Sequence, residues 1–246
     1  MYVISQTKLL PEDEHLIIAK QNIASFPPGY LVFLQKFGAG NYRGWINVYS
    51  PDTEVLKPFA DYDFWEHDEN SPITQQQISQ CIAIGTTIDG DFLAVHPQTD
   101  QLLWLPRHAD QIEAISLQAP AQEDERTYAI MLDEIYRQVY RCEQDEAVYY
   151  EPCSNTQSHL FLRLPPNQGL PDLPELAAWC RAAFPPDLTV ENEYTCRLFY
   201  QRLGGYIRFN YAYKQEVAIM YEQAAQQEFA DIKKWLLSQG CEYWST

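Results

Sequence analysis

The chain has 246 residues, with 34 Asp and Glu against 17 Lys and Arg, a formal net charge of −17. Such acidity repels nucleic-acid backbones and anionic lipid surfaces, so neither is expected as a direct partner. With 46% hydrophobic and 21% charged residues the composition is that of a globular protein able to bury one large or two small cores, and no window approaches the roughly twenty apolar residues of a membrane-spanning helix.

The opening MYVISQTKLLPEDEH lacks the basic and apolar regions of a secretory signal. The six cysteines, at 81, 142, 153, 180, 196 and 241, include no Cys-x-x-Cys pair, and the expectation is reduced thiols in a cytoplasmic protein.

In chain order, EDEHLIIAKQNIAS (12–25) begins with acids that suit a helix N-terminus and continues with an apolar pattern, which predicts a first helix. In PPGYLVFLQKFGAG (27–40), Pro27 and Pro28 fit a helix start, and Tyr30, Phe33, Leu34 and Phe37 fall at i, i+3, i+4 and i+7 on one face. Gly38 then takes the position of a left-handed C-cap. A phosphate loop needs its glycines after a strand and before a helix, with a lysine following; here the order is reversed, so no nucleotide is expected.

Short β-branched and aromatic runs follow at 45–50, 80–87, 91–96 and 101–107, linked by Ile88-Asp89-Gly90 and by 97–100. They predict antiparallel hairpins and a meander. EDERTYAIMLDEIYRQVYRC (123–142) aligns Tyr128, Met131, Leu132, Ile135, Val139 and Cys142 on one helical face and closes a first unit, 1–142.

These blocks carry a resemblance. Two helices, the Pro28-x-Tyr30-x-x-Phe33-Leu34 segment ending at Gly38 and Gly40, a strand into Ile84-Gly85, then Gly90-Asp91-Phe92-Leu93-Ala94 and a final helix resemble the SUKH superfamily over about residues 10 to 142. That superfamily includes Smi/Knr cell-wall regulators and bacterial immunity proteins that neutralise polymorphic toxins. Gly29 stands where the family usually has an acidic residue, and 101–107 runs out into Leu-Pro-Arg-His, 105–108, rather than a Trp-Asp type ending. The resemblance implies an α+β fold, a mostly antiparallel twisted sheet flanked by helices, and a protein-binding role without a shared catalytic set.

Residues 143–246 read as a second small α+β unit: strands at 147–152 and 158–164, a helix at 173–184, strands within 189–201, 206–213 and 216–222, a helix at 226–240 and a short strand at 241–244. Its strands could form their own sheet or extend the first.

No chemistry-bearing set emerges. The five histidines never fall at i, i+4 on a predicted helix, so no metal is expected. Cys153 and His159 flank a Ser-Asn-Thr-Gln turn, and Asp89 and Asp91 flank a hairpin glycine. Neither pair predicts catalysis or calcium, and no cofactor is expected. The surface feature is ADYDFWEHDENSP (60–72), which interleaves Asp61, Asp63, Glu66, Asp68 and Glu69 with Tyr62, Phe64 and Trp65. As a solvated connection its acids face water and its aromatics pack inward; as a binding loop, with Trp65 as anchor and the acids steering, it suits a basic protein partner. The expectation is a non-catalytic binding protein, favoured as an immunity protein covering a basic toxin domain. The alternatives are a regulatory scaffold of the same fold, or an enzyme with its site in the C-terminal half.

Overall fold

The computed structural model describes residues 1–5, 26–98, 101–116, 124, 126–141, 147–166 and 169–244. The expected helix 12–25 and Cys142 lie outside them. The protein is α+β, with two sheets built of antiparallel pairs. No described helix is long and apolar enough to cross a membrane.

The chain divides into two compact units. Thr7–Asp145 with Tyr150–Cys153 makes one, and Met1–Gln6 with Glu146–Tyr149 and Ser154–Thr246 makes the other. Where the sequence suggested one cut at 142/143, the chain therefore crosses more than once. Strand β8 (Tyr149–Pro152) explains why: its residues Tyr150 to Pro152 pair with Tyr42 to Gly40 in the N-terminal unit.

That unit holds strands β2 (Gly40–Tyr42), β3 (Ile46–Asp52), β4 (Ile82–Thr87), β5 (Phe92–His96), β6 (Gln101–Leu105) and β7 (Glu113–Ile115), paired in that order with β8 beside β2. Helix α1 (Tyr30–Phe37) buries Tyr30, Phe33, Leu34 and Phe37, the four positions of its apolar period. Helix α3 (Thr127–Tyr140) meets it through Tyr128, which lies 5.2 Å from the Tyr30 ring and 5.5 Å from Phe33. Tyr150 of β8 closes the cluster edge-on to Phe33 at 4.9 Å. Edge-to-face aromatic packing adds to the burial of these rings, so one apolar stripe fixes where both helices sit.

The glycines of the opening segment serve this packing. Gly38 ends α1, donating to the Leu34 carbonyl at 2.8 Å, while its own carbonyl accepts from the Tyr150 hydroxyl at 2.7 Å. Its φ of 69° and ψ of −172° lie in the extended positive-φ region rather than the expected left-handed one. That region is nearly restricted to glycine, so Gly38→Ala should cost about 1–3 kcal/mol, read by chemical denaturation. Titration with ATP or GTP should give no heat with either form, because a helix C-terminus turns carbonyls toward the space beyond it and disfavours phosphate.

The C-terminal unit carries a sheet in the order β10 (Leu188–Glu191), β11 (Thr195–Tyr200), β12 (Gly205–Asn210), β13 (Glu216–Glu222), β9 (Gln157–Arg163), β14 (Glu242–Tyr243). It is a sheet of its own, so of the expected C-terminal strands only β8 joins the first sheet. Helix α4 (Leu173–Ala183) starts in a capping box between Asp172 and Glu175, and α5 (Gln226–Ser238) follows β13. Leu176, Ala177 and Cys180 of α4, with Phe229, Ile232 and Leu236 of α5, pack on the even-numbered face of β9 and its neighbours around Leu162, Ile207, Phe209, Val217 and Ile219. Strand β1 (Tyr2–Val3) belongs to this unit, with the Tyr2 N–H donating to the Val148 carbonyl.

Cys81, Cys153, Cys180, Cys196 and Cys241 are free. Burial pushes Cys81, Cys180 and Cys241 up to about 12, and the thiolate is the reactive form. In native protein an alkylating reagent should therefore reach the exposed Cys153 first among these five, with the other four labelled only after unfolding, as mass analysis would record.

Candidate functional site

The acidic connection is a tied loop on the N-terminal unit. A 3-10 turn, Lys57–Asp61, leads into it, and helix α2 (Gln75–Ile78), started by a capping box between Thr74 and Gln77, leads out. Between them the loop is held at several points. The Trp65 indole N–H donates to the Pro106 carbonyl at 2.8 Å, the Glu66 N–H to the Asp110 carbonyl at 2.6 Å, and a His67 ring nitrogen meets the Ile73 carbonyl at 2.9 Å. Asp68 turns the chain locally by accepting from the Asn70 N–H at 2.8 Å, an Asx turn.

Trp65 is not an exposed anchor. It is buried with Leu56, Ile73, Ile78, Cys81, Ala94, Leu103 and Leu105, and its ring lies 5.5 Å from Phe59 and 4.8 Å from Phe64. The indole body belongs to the core and its one donor is satisfied, so Trp65 reaches the surface only as part of a groove wall. The exposed rings of the loop are Tyr62, at 67%, and Phe64, at 37%.

Around those rings the carboxylates of Asp61, Asp63, Glu66, Asp68 and Glu69 are exposed. No ion pair neutralises any of them among the described residues. Asp63, Glu66 and Asp68, with Phe64 and His67, line an open groove of about 660 Å³, and Asp110 joins them from the loop after β6. Asp61 and Glu69 stand outside it. Sequence reading missed Asp110, which lies far along the chain and is brought beside the loop by tertiary contact, including the Glu66–Asp110 backbone bond; no local pattern signals it. The Arg107 guanidinium lies 6.0 Å from the Phe64 ring centre, which shows that this ring face accepts a cation.

No family model matches the chain, and neither does any curated protein or solved structure with which it was compared.

The groove contains no serine, cysteine or lysine that could act as a nucleophile, and among the described residues no group of three or more His, Cys, Asp or Glu is placed to hold a metal ion. Fixed, uncompensated negative charge beside exposed rings attracts cations and buries apolar surface on contact. The remaining sequence candidates have structural roles or lie apart. Asp91 is buried, accepting from the Thr87 hydroxyl at 2.8 Å and the Arg107 N–H at 2.7 Å, which fixes the β4–β5 hairpin. Cys153 and His159 fall in different units.

Proposed function

We propose that this protein binds a basic protein partner through the acidic face of its N-terminal unit. The observation that carries the reading is the set of exposed carboxylates at Asp61, Asp63, Glu66, Asp68, Glu69 and Asp110 around the exposed Tyr62 and Phe64, none of them in an ion pair among the described residues. Charge supplies steering, while ring burial supplies residence time. The role is one of occlusion rather than catalysis. The resemblance of residues 10 to 142 to the SUKH superfamily makes an immunity protein the specific form of this reading, with a basic toxin domain as the partner. Free thiols at five cysteines suit a reducing, cytoplasmic setting.

The test has two arms. Cross-linking capture from the native host compares the wild type with a variant carrying Asn or Gln at the five loop carboxylates; a basic partner retained by the wild type and lost by the variant is expected. That partner is then expressed alone and with this chain. Growth arrest relieved by co-expression is the outcome for immunity, and a partner harmless on its own removes that specific form.

A further inference from the structure

Among the described residues, the second sheet has an edge stretch that no strand covers. Strand β9 pairs with β13 along its whole length, Glu216 to Glu222 against Arg163 to Gln157, but on its other side β14 covers only Arg163 and Leu162. Ser158 to Phe161 meet no strand there among the described residues. Proteins guard such edges by shortness or by charge, and the other edges here do so: β7 is three residues with Glu113, β10 contains Glu191, and β14 is two residues with Glu242. The stretch Ser158-His159-Leu160-Phe161-Leu162 carries no acidic, lysine or arginine side chain. It is also flanked by exposed rings, Phe161 at 38%, Trp244 at 42% and Tyr243 at 54%, with His159 stacked edge-on to Phe161 at 5.2 Å.

We propose that this edge pairs with the same edge of a second copy of the chain, antiparallel, about a two-fold axis at His159. In that register Ser158 lies opposite Leu160 of the second copy, and His159 opposite its counterpart. Charge selects the occupant. A chain of net −17 meets itself without facing like charges only along an uncharged strip, and this strip offers no carboxylate to a basic peptide. Antiparallel pairing keeps the two outer faces continuous, so both Phe161 rings lie on one surface of the joined sheet. A few paired residues bury far less than the roughly 1,200–2,000 Å² of a standard stable interface. Phe161, Tyr243 and Trp244 enlarge the contact, and the expected dimer is weak, with Kd in the micromolar range.

The test is sedimentation equilibrium of the full chain at low and high salt, together with amide hydrogen exchange at low and high protein concentration. The expected result is a reversible dimer that strengthens with salt, because screening relieves repulsion between two acidic chains, and slower exchange at Ser158 to Phe161 as concentration rises. His159→Lys sets two ammonium groups face to face and should raise Kd by at least about tenfold, while Gln80→Lys, which adds the same charge on the other unit, should not. The salt response is opposite to that expected for a basic partner, so the two surfaces are distinguishable. A monomer at every concentration overturns the inference. So does a dimer with no concentration-dependent protection at Ser158 to Phe161, and that readout needs no variant.

Discussion

Trp65→Ala should destabilise the N-terminal unit by about 3–5 kcal/mol, the range for truncating a large buried aromatic. The side chain is 4% exposed, one of ten buried residues in its core cluster, and its indole N–H satisfies the Pro106 carbonyl. Truncation removes the packing, leaves a cavity and deprives a carbonyl at the end of β6 of its donor. Because the chain has two units, the effect belongs to the melting of one of them, and a calorimetric scan should show that unit's transition falling by roughly 10 °C. Unchanged melting with lost partner binding would restore Trp65 as a surface anchor.

The second large effect concerns a buried ion pair. Arg43 sits in the β2–β3 turn with φ of 56°, and its guanidinium bonds the Asp133 carboxylate of α3, with side-chain exposures of only 8% and 19%. The Tyr42 hydroxyl, donating to the Ala129 carbonyl at 3.1 Å, has its pKa raised by burial first and then by the neighbouring Asp133. Asp133→Ala removes the carboxylate that balances a desolvated cation and should cost about 3–5 kcal/mol. Arg43→Asn combined with Asp133→Ala should recover part of that loss, since the cation is gone and asparagine tolerates a positive φ. Urea denaturation of the two single variants and the double measures the coupling; additive losses would mean the pair does not hold α3 to the hairpin.

The sequence was most legible where a period repeats. Tyr30, Phe33, Leu34 and Phe37 announced both α1 and its buried face, and the β4–β5–β6 meander was visible from its apolar runs and its Asp-Gly turn. Elements too short to repeat were missed: β2 and β7 have three residues each, and α2, Gln-Gln-Gln-Ile, has a single apolar side chain. Loops have no period at all, which is why Trp65 could not be assigned to the inside by pattern. Gly38 shows a similar limit: the need for a positive φ was readable, but its ψ depends on where Gly40 must pair with Pro152 and Val48. The acids of the loop were legible as a group, whereas Asp110 depended on tertiary contact.

Whether the acidic face recruits a basic partner by charge is decided by association kinetics with the captured partner at two ionic strengths. The variant carries Asn or Gln at Asp61, Asp63, Glu66, Asp68 and Glu69 and keeps Trp65, so the core is intact. At low salt its association rate should fall by about tenfold or more against the wild type, with dissociation little changed, and the gap should close as salt is raised. A folded variant that associates as fast as the wild type at low salt would contradict the claim and move the contact surface elsewhere.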